Sequence, residues 1–439
     1  NLSGASRAGL YRMLQSEYSH LTSRHMDTDH VTAEKELARQ IADEFYADST
    51  DTEVCYRDGR RYRAYLDERT ADAVNQKELS FPSDQVLLIT GGTRGLGMVC
   101  ARHFVQTYGV KRLVLTGREV MPPREQWEFL KAKNTPLAQK LKAIQELEAM
   151  GAQVQVQSLQ LSDPLAVKQS IETIQQTMGA IGGVIHCAGA VNKHNPAFIR
   201  KSAEEIQAVL EPKVGGLQTL FDLLKDEQLQ FFVLFSSVSA TVPVLAAGQA
   251  DYAMANAFMD YFAESHKDKY PIVSIQWPNW KETGLGEVRS KALEQTGLLG
   301  LNNEEGLQLL DQILSEKQQA VVLPAIHHTD VWQSGKLMQH SLTDKAFQRA
   351  ETREQDSAQS LFHGTVEWLV TIFSDELKIG AEDLETDEPF QEYGVDSIIL
   401  AQLLQQINQK LKGDIDPSIL FEYPTIESFA KWLISEYKS

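Results

Sequence analysis

The run Gln85-Val-Leu-Leu-Ile-Thr90 has the length and apolar character of a buried strand. It passes directly into Gly91-Gly-Thr-Arg-Gly-Leu-Gly97, and a helical pattern from Met98 to Tyr108 follows. Strand, glycine loop and helix in that order constrain the chain to a parallel βα unit whose helix N-terminus faces an anion. Gly91 or Gly92 permits the tight turn, Gly95 lets main-chain N–H groups approach a pyrophosphate, and Gly97 lets the helix close on the strand. The next strand, Arg112 to Thr116, runs into Gly117-Arg118. An acidic residue there grips a ribose 2′-hydroxyl, whereas arginine suits a 2′-phosphate. Arg118 therefore points to NADPH over NADH, with Arg94 as a second cation.

The βα alternation continues. Helices are expected over 137–150, 165–178 and 303–316, and strands over 153–158, 183–186, 272–276 and 320–323, with residues 121 to 136 polar and irregular. The fold class is α/β, a Rossmann-like doubly wound parallel sheet. His186-Cys-Ala-Gly189 ends a strand at the crevice edge, where small residues let a cofactor lie close; His186 receives no catalytic role. Trp277-Pro-Asn-Trp280 and the segment to Gly286 suit either a lid over substrate or a packed loop.

Chemistry concentrates in one stretch. Phe232 to Phe235 is a strand buried on both faces, and Ser236, Ser237 and Ser239 follow it at the carboxyl end, where α/β sheets bind ligands. Tyr252 then opens an Ala-rich helix, and Asn256 falls on the same face. Two converging hydroxyls can bond a carbonyl oxygen while the phenol gives up a proton as that oxygen becomes an alkoxide. A phenol needs a nearby ammonium to lower its pKa, and Lys213, leading the helix before the serine strand, is the candidate. The competing reading is turn chemistry after a strand and an ordinary core helix.

The flanks differ in kind. Residues 1–82 carry helical periodicity at 8–18 and 32–46, a hairpin with Asp58-Gly59 at its turn, and a polar connection. Residues 83–332 hold the dinucleotide fold, and 333–360 read as a polar linker. In 361–439, Val366, Leu369, Phe373 and Leu377 share one helical face and Leu400, Leu403, Leu404, Ile407 and Leu411 another, with a further helix over 425–434. That is a small all-α four-helix bundle. Gly394-Val-Asp-Ser-Ile398 opens its second long helix. Asp396 and Ser397 make an ordinary N-cap there, and Ser397 is also placed to carry a phosphodiester at a helix N-terminus. The net charge of −18 argues against a nucleic-acid surface. No apolar run has the length of a membrane span. Three scattered cysteines give neither disulfide frame nor metal spacing and fit the cytoplasm. A first residue of Asn1 suggests a segment of a longer polypeptide.

With these residues in place, the chain resembles a ketoreductase domain followed by an acyl carrier protein domain of a modular type I polyketide synthase. Ordinary short-chain dehydrogenases keep Tyr-x-x-x-Lys on one helix. Here Tyr252 is followed four residues later by Asn256 and the lysine comes from Lys213, an exchange similar to the polyketide ketoreductase arrangement. Residues 1 to about 66 resemble the end of the family's structural half.

The resemblance implies NADPH held by Thr90, Gly91, Gly92, Thr93, Arg94, Gly95, Leu96, Gly97, Arg118, Ala188 and Gly189. It implies reduction of a carrier-bound keto thioester by Ser237, Tyr252, Lys213 and Asn256, in which Lys213 lowers the tyrosine pKa. Spacing from Lys213 selects Ser237 and spacing from Tyr252 selects Ser239; Ser237 is chosen because it ends the strand. The Gly394-Val-Asp-Ser397 motif implies 4′-phosphopantetheine on Ser397, installed by a separate phosphopantetheinyl transferase, with the other synthase domains as partners. A rival is a catalytically silent ketoreductase-like scaffold with a working carrier. The Leu-Asp-Asp signature of one stereochemical class is absent from 190–202. Val244 stands where the other class often has tryptophan, and Gln249 matches that second class, which gives the L alcohol. Gln160 replaces an aspartate that often contacts adenine.

Overall fold

The computed structural model describes residues 2, 4–18, 21, 23–29, 32–47, 49, 51–69, 79–133, 135–190, 198–284, 290–316, 319–338, 357–393, 395, 397–411, 415, 416 and 418–436. The described strands are β1 (His25–Asp27), β2 (Glu53–Arg57), β3 (Arg60–Arg63), β4 (Val86–Thr90), β5 (Arg112–Gly117), β6 (Gln153–Ser158), β7 (Ile181–His186), β8 (Phe231–Ser237), β9 (Ile272–Trp277) and β10 (Val321–Val322). Seven of them form one sheet in the order β10-β9-β8-β7-β4-β5-β6, and every pairing in it is parallel.

Alternation along the strands builds two cores. Leu87 and Ile89 of β4 and Leu113 and Leu115 of β5 point to one face, where Phe104, Leu141 and Ile144 cover them. Val86 and Leu88 of β4 and Val114 of β5 point to the other, against Ile171, Leu217, Leu220 and Phe262. Each such buried side chain contributes about 2 kcal/mol of apolar transfer. Continuous apolar strands are thus the sequence signature of a sheet covered on both sides. The strand order reverses between β4 and its neighbours β5 and β7, and the crevice outside their carboxyl ends is where such sheets bind ligands.

The smaller sheet has the order β1-β2-β3. Its hairpin turns on Asp58 and Gly59 with φ of 50° and 75°, the left-handed pair that a two-residue turn requires. The helix Ala5–Glu17 supports the tyrosine helix Ala250–His266. Met13 packs with Ala246, Ala250 and Ala253, and a Cβ on Gly9 would lie 2.5 Å from the Ala253 carbonyl oxygen. Arg12 adds donations to the Ala240 carbonyl and the Tyr261 hydroxyl.

Two expectations are corrected and one open choice is decided. Within 121–136 a turn at Arg124–Gln126 and a helix Trp127–Lys131 are formed, because the buried Trp127 packs into the core and donates through Nε1 to the Pro122 carbonyl at 2.9 Å. The described ends of the expected linker are helical, Ser334–Leu337 and the start of Ser357–Leu377; Leu337 is buried against Val238, Val242 and Leu298. Its middle, 339–356, lies outside the described residues. Trp277 ends β9 and Trp280 follows it, both buried in the core with ring centroids 5.1 Å apart edge to face, so of the two readings these aromatics take the packed one. Residues 285–289 lie outside the described residues.

In the C-terminal region, helices Ser357–Leu377, Ser397–Leu411, Ile419–Glu422 and Ile426–Glu436 enclose Leu369, Phe373, Phe390, Leu403, Leu404, Ile407 and Phe429. Both stripes read from the sequence face this core. Gly394 and Asp396 lie outside the described residues. Among the described residues no helix is long and apolar enough to cross a membrane.

Candidate active site

The loop after β4 wraps the cleft. Gly91 has φ of 68° and a Cβ there would fall 2.9 Å from the Ala188 backbone; a Cβ on Gly97 would fall 2.6 Å from the Gly91 carbonyl oxygen. Only glycine permits this closeness, which leaves the helix Gly95–Tyr108 pointing its first N–H groups at the cleft. Gly91, Thr93, Arg94, Gly95, Leu96, Gly97, Arg118, Ala188 and Gly189 all line it, together with Gln160, whose Nε2 donates to Ser162 Oγ at 2.8 Å. This donor set fits a dinucleotide. Thr90 and Gly92 stand behind the lining. Thr90 is fully buried and its Oγ1 lies 2.7 Å from His186 Nδ1, so it shapes the loop and faces no ligand.

His186 is a tie between elements. Burial and the Lys213 charge push its pKa down to about 3, so the ring is neutral. Nε2–H donates to the Pro212 carbonyl at 3.0 Å, which leaves Nδ1 to accept from Thr90. The histidine thus fixes the C-terminal end of the helix Ala203–Lys213 against β4 and β7. Lys213 is that helix's last residue and does not lead the next one, because Val214 separates it from Gly215–Leu224.

Lys213 is 3% exposed and donates through Nζ to the Phe235 carbonyl at 2.7 Å, with Nζ 5.5 Å from the centroid of the Tyr252 ring. A Cβ on Gly189 would meet Lys213 Cε at 2.7 Å, so a small residue is needed there. Burial lowers the Lys213 pKa to about 8, with Cys187 and Asp260 opposing. Burial raises the Tyr252 pKa, and hydrogen bonding by the Asn256 and Ser237 side chains opposes it. The net shift of the Tyr252 pKa is therefore upward and not the expected lowering, because desolvation outweighs the hydrogen bonds that favour phenolate.

The structure brings Ser237 and Tyr252 together and sets Ser239 behind. Ser239 donates to Ser237 Oγ through Oγ at 3.0 Å and through its N–H at 3.3 Å. β8 runs through Ser236 and Ser237, paired with Gln276 and Trp277, so the two serines point to opposite faces. Ser236 reaches the Asn256 carbonyl at 3.4 Å. Asn256 does not share the cleft with Tyr252 as its spacing suggested. It is fully buried and its Nδ2 donates to the Tyr252 carbonyl at 2.9 Å.

Sequence reasoning missed two buried polar groups on this helix. Asp260 accepts from Ser274 Oγ at 2.6 Å and Gln276 Nε2 at 2.7 Å, and burial pushes its pKa to about 6. Tyr252, Asn256 and Asp260 recur every four residues, a polar stripe in an Ala-rich helix that could have revealed it. Asp251 forms a fully buried ion pair with Lys201 at 2.6 Å and accepts from the Tyr252 N–H at 2.9 Å. No sequence pattern marks that pair. Most of the stereochemical segment, 191–197, lies outside the described residues, while Val244 and Gln249 line the cleft.

Residues 85–282 match the family described as KR domain, and residues 367–433 match the phosphopantetheine attachment site. A solved ketoreductase domain from the bacillaene assembly line is 30% identical with a TM-score of 0.61, over 74% of this chain and 75% of that one. The chain belongs to the polyketide synthase family, as a ketoreductase domain followed by a carrier domain. Polyketide synthase PksL of Bacillus subtilis (strain 168) is 74% identical over 99% of this chain, and PksN of the same organism is 32% identical over 88%. The chain spans 10% and 7% of those two synthases, about a tenth of their length or less. The ketoreductase occupies the parallel sheet and the carrier occupies the helices that enclose Leu403 and Phe429.

Proposed function

We propose that the chain reduces a keto group, chiefly a β-keto group, of a carrier-bound polyketide acyl thioester to a hydroxyl. In this reading NADPH supplies the hydride, and the carrier domain holds the acyl chain through phosphopantetheine on Ser397. The observation that carries the reading is the convergence of Ser237, Tyr252 and Lys213 beside the glycine loop. The loop, Ala188 and Gly189 would cradle the dinucleotide, with Arg94 and Arg118 toward a 2′-phosphate.

The residues divide the work. Ser237 accepts from both Ser239 groups, which leaves its own O–H to donate to the keto oxygen. Tyr252 donates to the same oxygen and passes its proton as negative charge develops there. A raised pKa keeps that proton in place at neutral pH. The Lys213 ammonium, anchored on Phe235 O, stabilises the phenolate left behind. Asn256 fixes the first turn of the tyrosine helix. Upstream domains of a synthase and a phosphopantetheinyl transferase are the proposed partners.

The test is NADPH oxidation with a short β-ketoacyl thioester, followed by identification of the hydroxyacyl product. An inert chain that still binds NADPH supports the silent-scaffold reading. The pH profile carries a further expectation. Lys213 has a folded pKa of about 8, below its ordinary 10.5, so its charge is lost as pH rises through about 8. The rate should fall there, and Lys213→Met should lower kcat about 100-fold and abolish that midpoint. Between these two pKa values the unfolded chain binds more protons than the folded one, so the same shift makes stability rise with pH over that window.

A further inference from the structure

The carboxyl end of β5 gathers four charges on the cleft wall: Arg94, Arg118, Glu119 and Lys140. Arg94 and Arg118 are exposed. Lys140 comes from the helix Pro136–Ala149 and is salt-bridged to Glu119; its side chain is 9% exposed and that of Glu119 64%. The pairing with Lys140, and then the Arg94 charge, hold the Glu119 carboxyl below its ordinary pKa. The ground beneath is rigid. Gly92 N–H donates to the Thr116 carbonyl at 3.0 Å, Leu159 N–H donates to the Gly117 carbonyl at 2.8 Å, and a Cβ on Gly117 would strike Thr93 Oγ1 at 2.6 Å.

A carboxylate just past this strand is an awkward neighbour for a phosphate. It repels the dianion and offers itself to ribose hydroxyls, the arrangement that favours NADH. We propose that Lys140 is a specificity-determining residue: it neutralises Glu119 and completes, with Arg94 and Arg118, the subsite for the 2′-phosphate of NADPH. This rests on the NADPH reading above. Three cations against one carboxylate leave a surplus that matches a phosphomonoester dianion, and removing Lys140 halves it. The low exposure of its side chain means the ammonium is already held in place, so little side-chain freedom is lost when a phosphate arrives.

Calorimetric titration of the full chain with NADPH, NADH, 2′,5′-ADP and 5′-ADP tests this without turnover. Lys140→Gln is expected to weaken NADPH and 2′,5′-ADP about tenfold or more while NADH and 5′-ADP stay within about twofold. Glu119→Gln removes no cation and should leave NADPH binding unchanged or tighter; combined with Lys140→Gln it should recover part of the loss. Equal weakening of NADPH and NADH by Lys140→Gln, no change in either, or weaker NADPH binding in Glu119→Gln would each overturn the assignment. Wild type that binds NADPH no better than NADH defeats the NADPH reading itself. Wild type that prefers NADPH, with Lys140→Gln keeping the preference, defeats the role of Lys140 alone.

Discussion

Tyr252→Phe is expected to lower kcat for reduction of a β-ketoacyl thioester about 1,000-fold, with the NADPH Kd within about twofold of wild type. The ring stays, so the packing of the helix Ala250–His266 is kept, and the one atom removed is the proton donor. The effect should fall on kcat more than on KM, because the proton moves only as charge develops on the keto oxygen. Stopped-flow NADPH oxidation and a separate binding titration measure the two quantities. Retention of more than about a tenth of the wild-type rate would remove Tyr252 from the mechanism. Loss of NADPH binding in the same variant would instead indicate a collapsed site. Ser237→Ala should show a smaller loss of about 100-fold, since Tyr252 still reaches the oxygen.

How far the site could be read from sequence depends on whether spacing or tertiary contact sets the geometry. The glycine loop was legible because only glycine tolerates the φ of 68° at Gly91 and the close approach of Gly97 to the Gly91 carbonyl. β4, β5, β8 and β9 were legible as apolar runs, and the Asp58-Gly59 turn as a left-handed pair. What escaped depends on partners distant in the chain. Nothing near Thr90 shows that its hydroxyl is taken by His186, nor does any local pattern show that Asn256 turns inward to the Tyr252 carbonyl. The direction of the Tyr252 shift was missed for a related reason: a neighbouring lysine can be guessed from family spacing, whereas the degree of desolvation belongs to the folded site. Trp277 and Trp280 read equally as lid or core until their burial is known. The Lys140–Glu119 pair joins residues far apart in sequence, and each alone is an ordinary surface charge.

Ser397→Ala is expected to abolish the gain in intact mass that the wild-type chain shows after incubation with coenzyme A and a phosphopantetheinyl transferase. Reduction of a diffusible β-ketoacyl thioester should continue at the wild-type rate, because Ser237, Tyr252 and Lys213 lie on the parallel sheet and its helices. Reduction of an acyl group delivered through the transferase from acyl-coenzyme A should disappear. Residue 397 begins the helix Ser397–Leu411, where the helix dipole favours a phosphodiester. The same helix is held by Leu400, Leu403, Leu404 and Ile407 in the core of the bundle. Loss of a serine at a helix start costs about 1 kcal/mol, well short of unfolding a bundle with this core. Intact-protein mass spectrometry separates the outcomes. A variant that still gains the arm moves the attachment to another residue, and a wild type that never gains it leaves the carrier without its tether. Modification of wild type alone, with soluble turnover equal in both proteins, establishes that one domain holds the chain and the other reduces it.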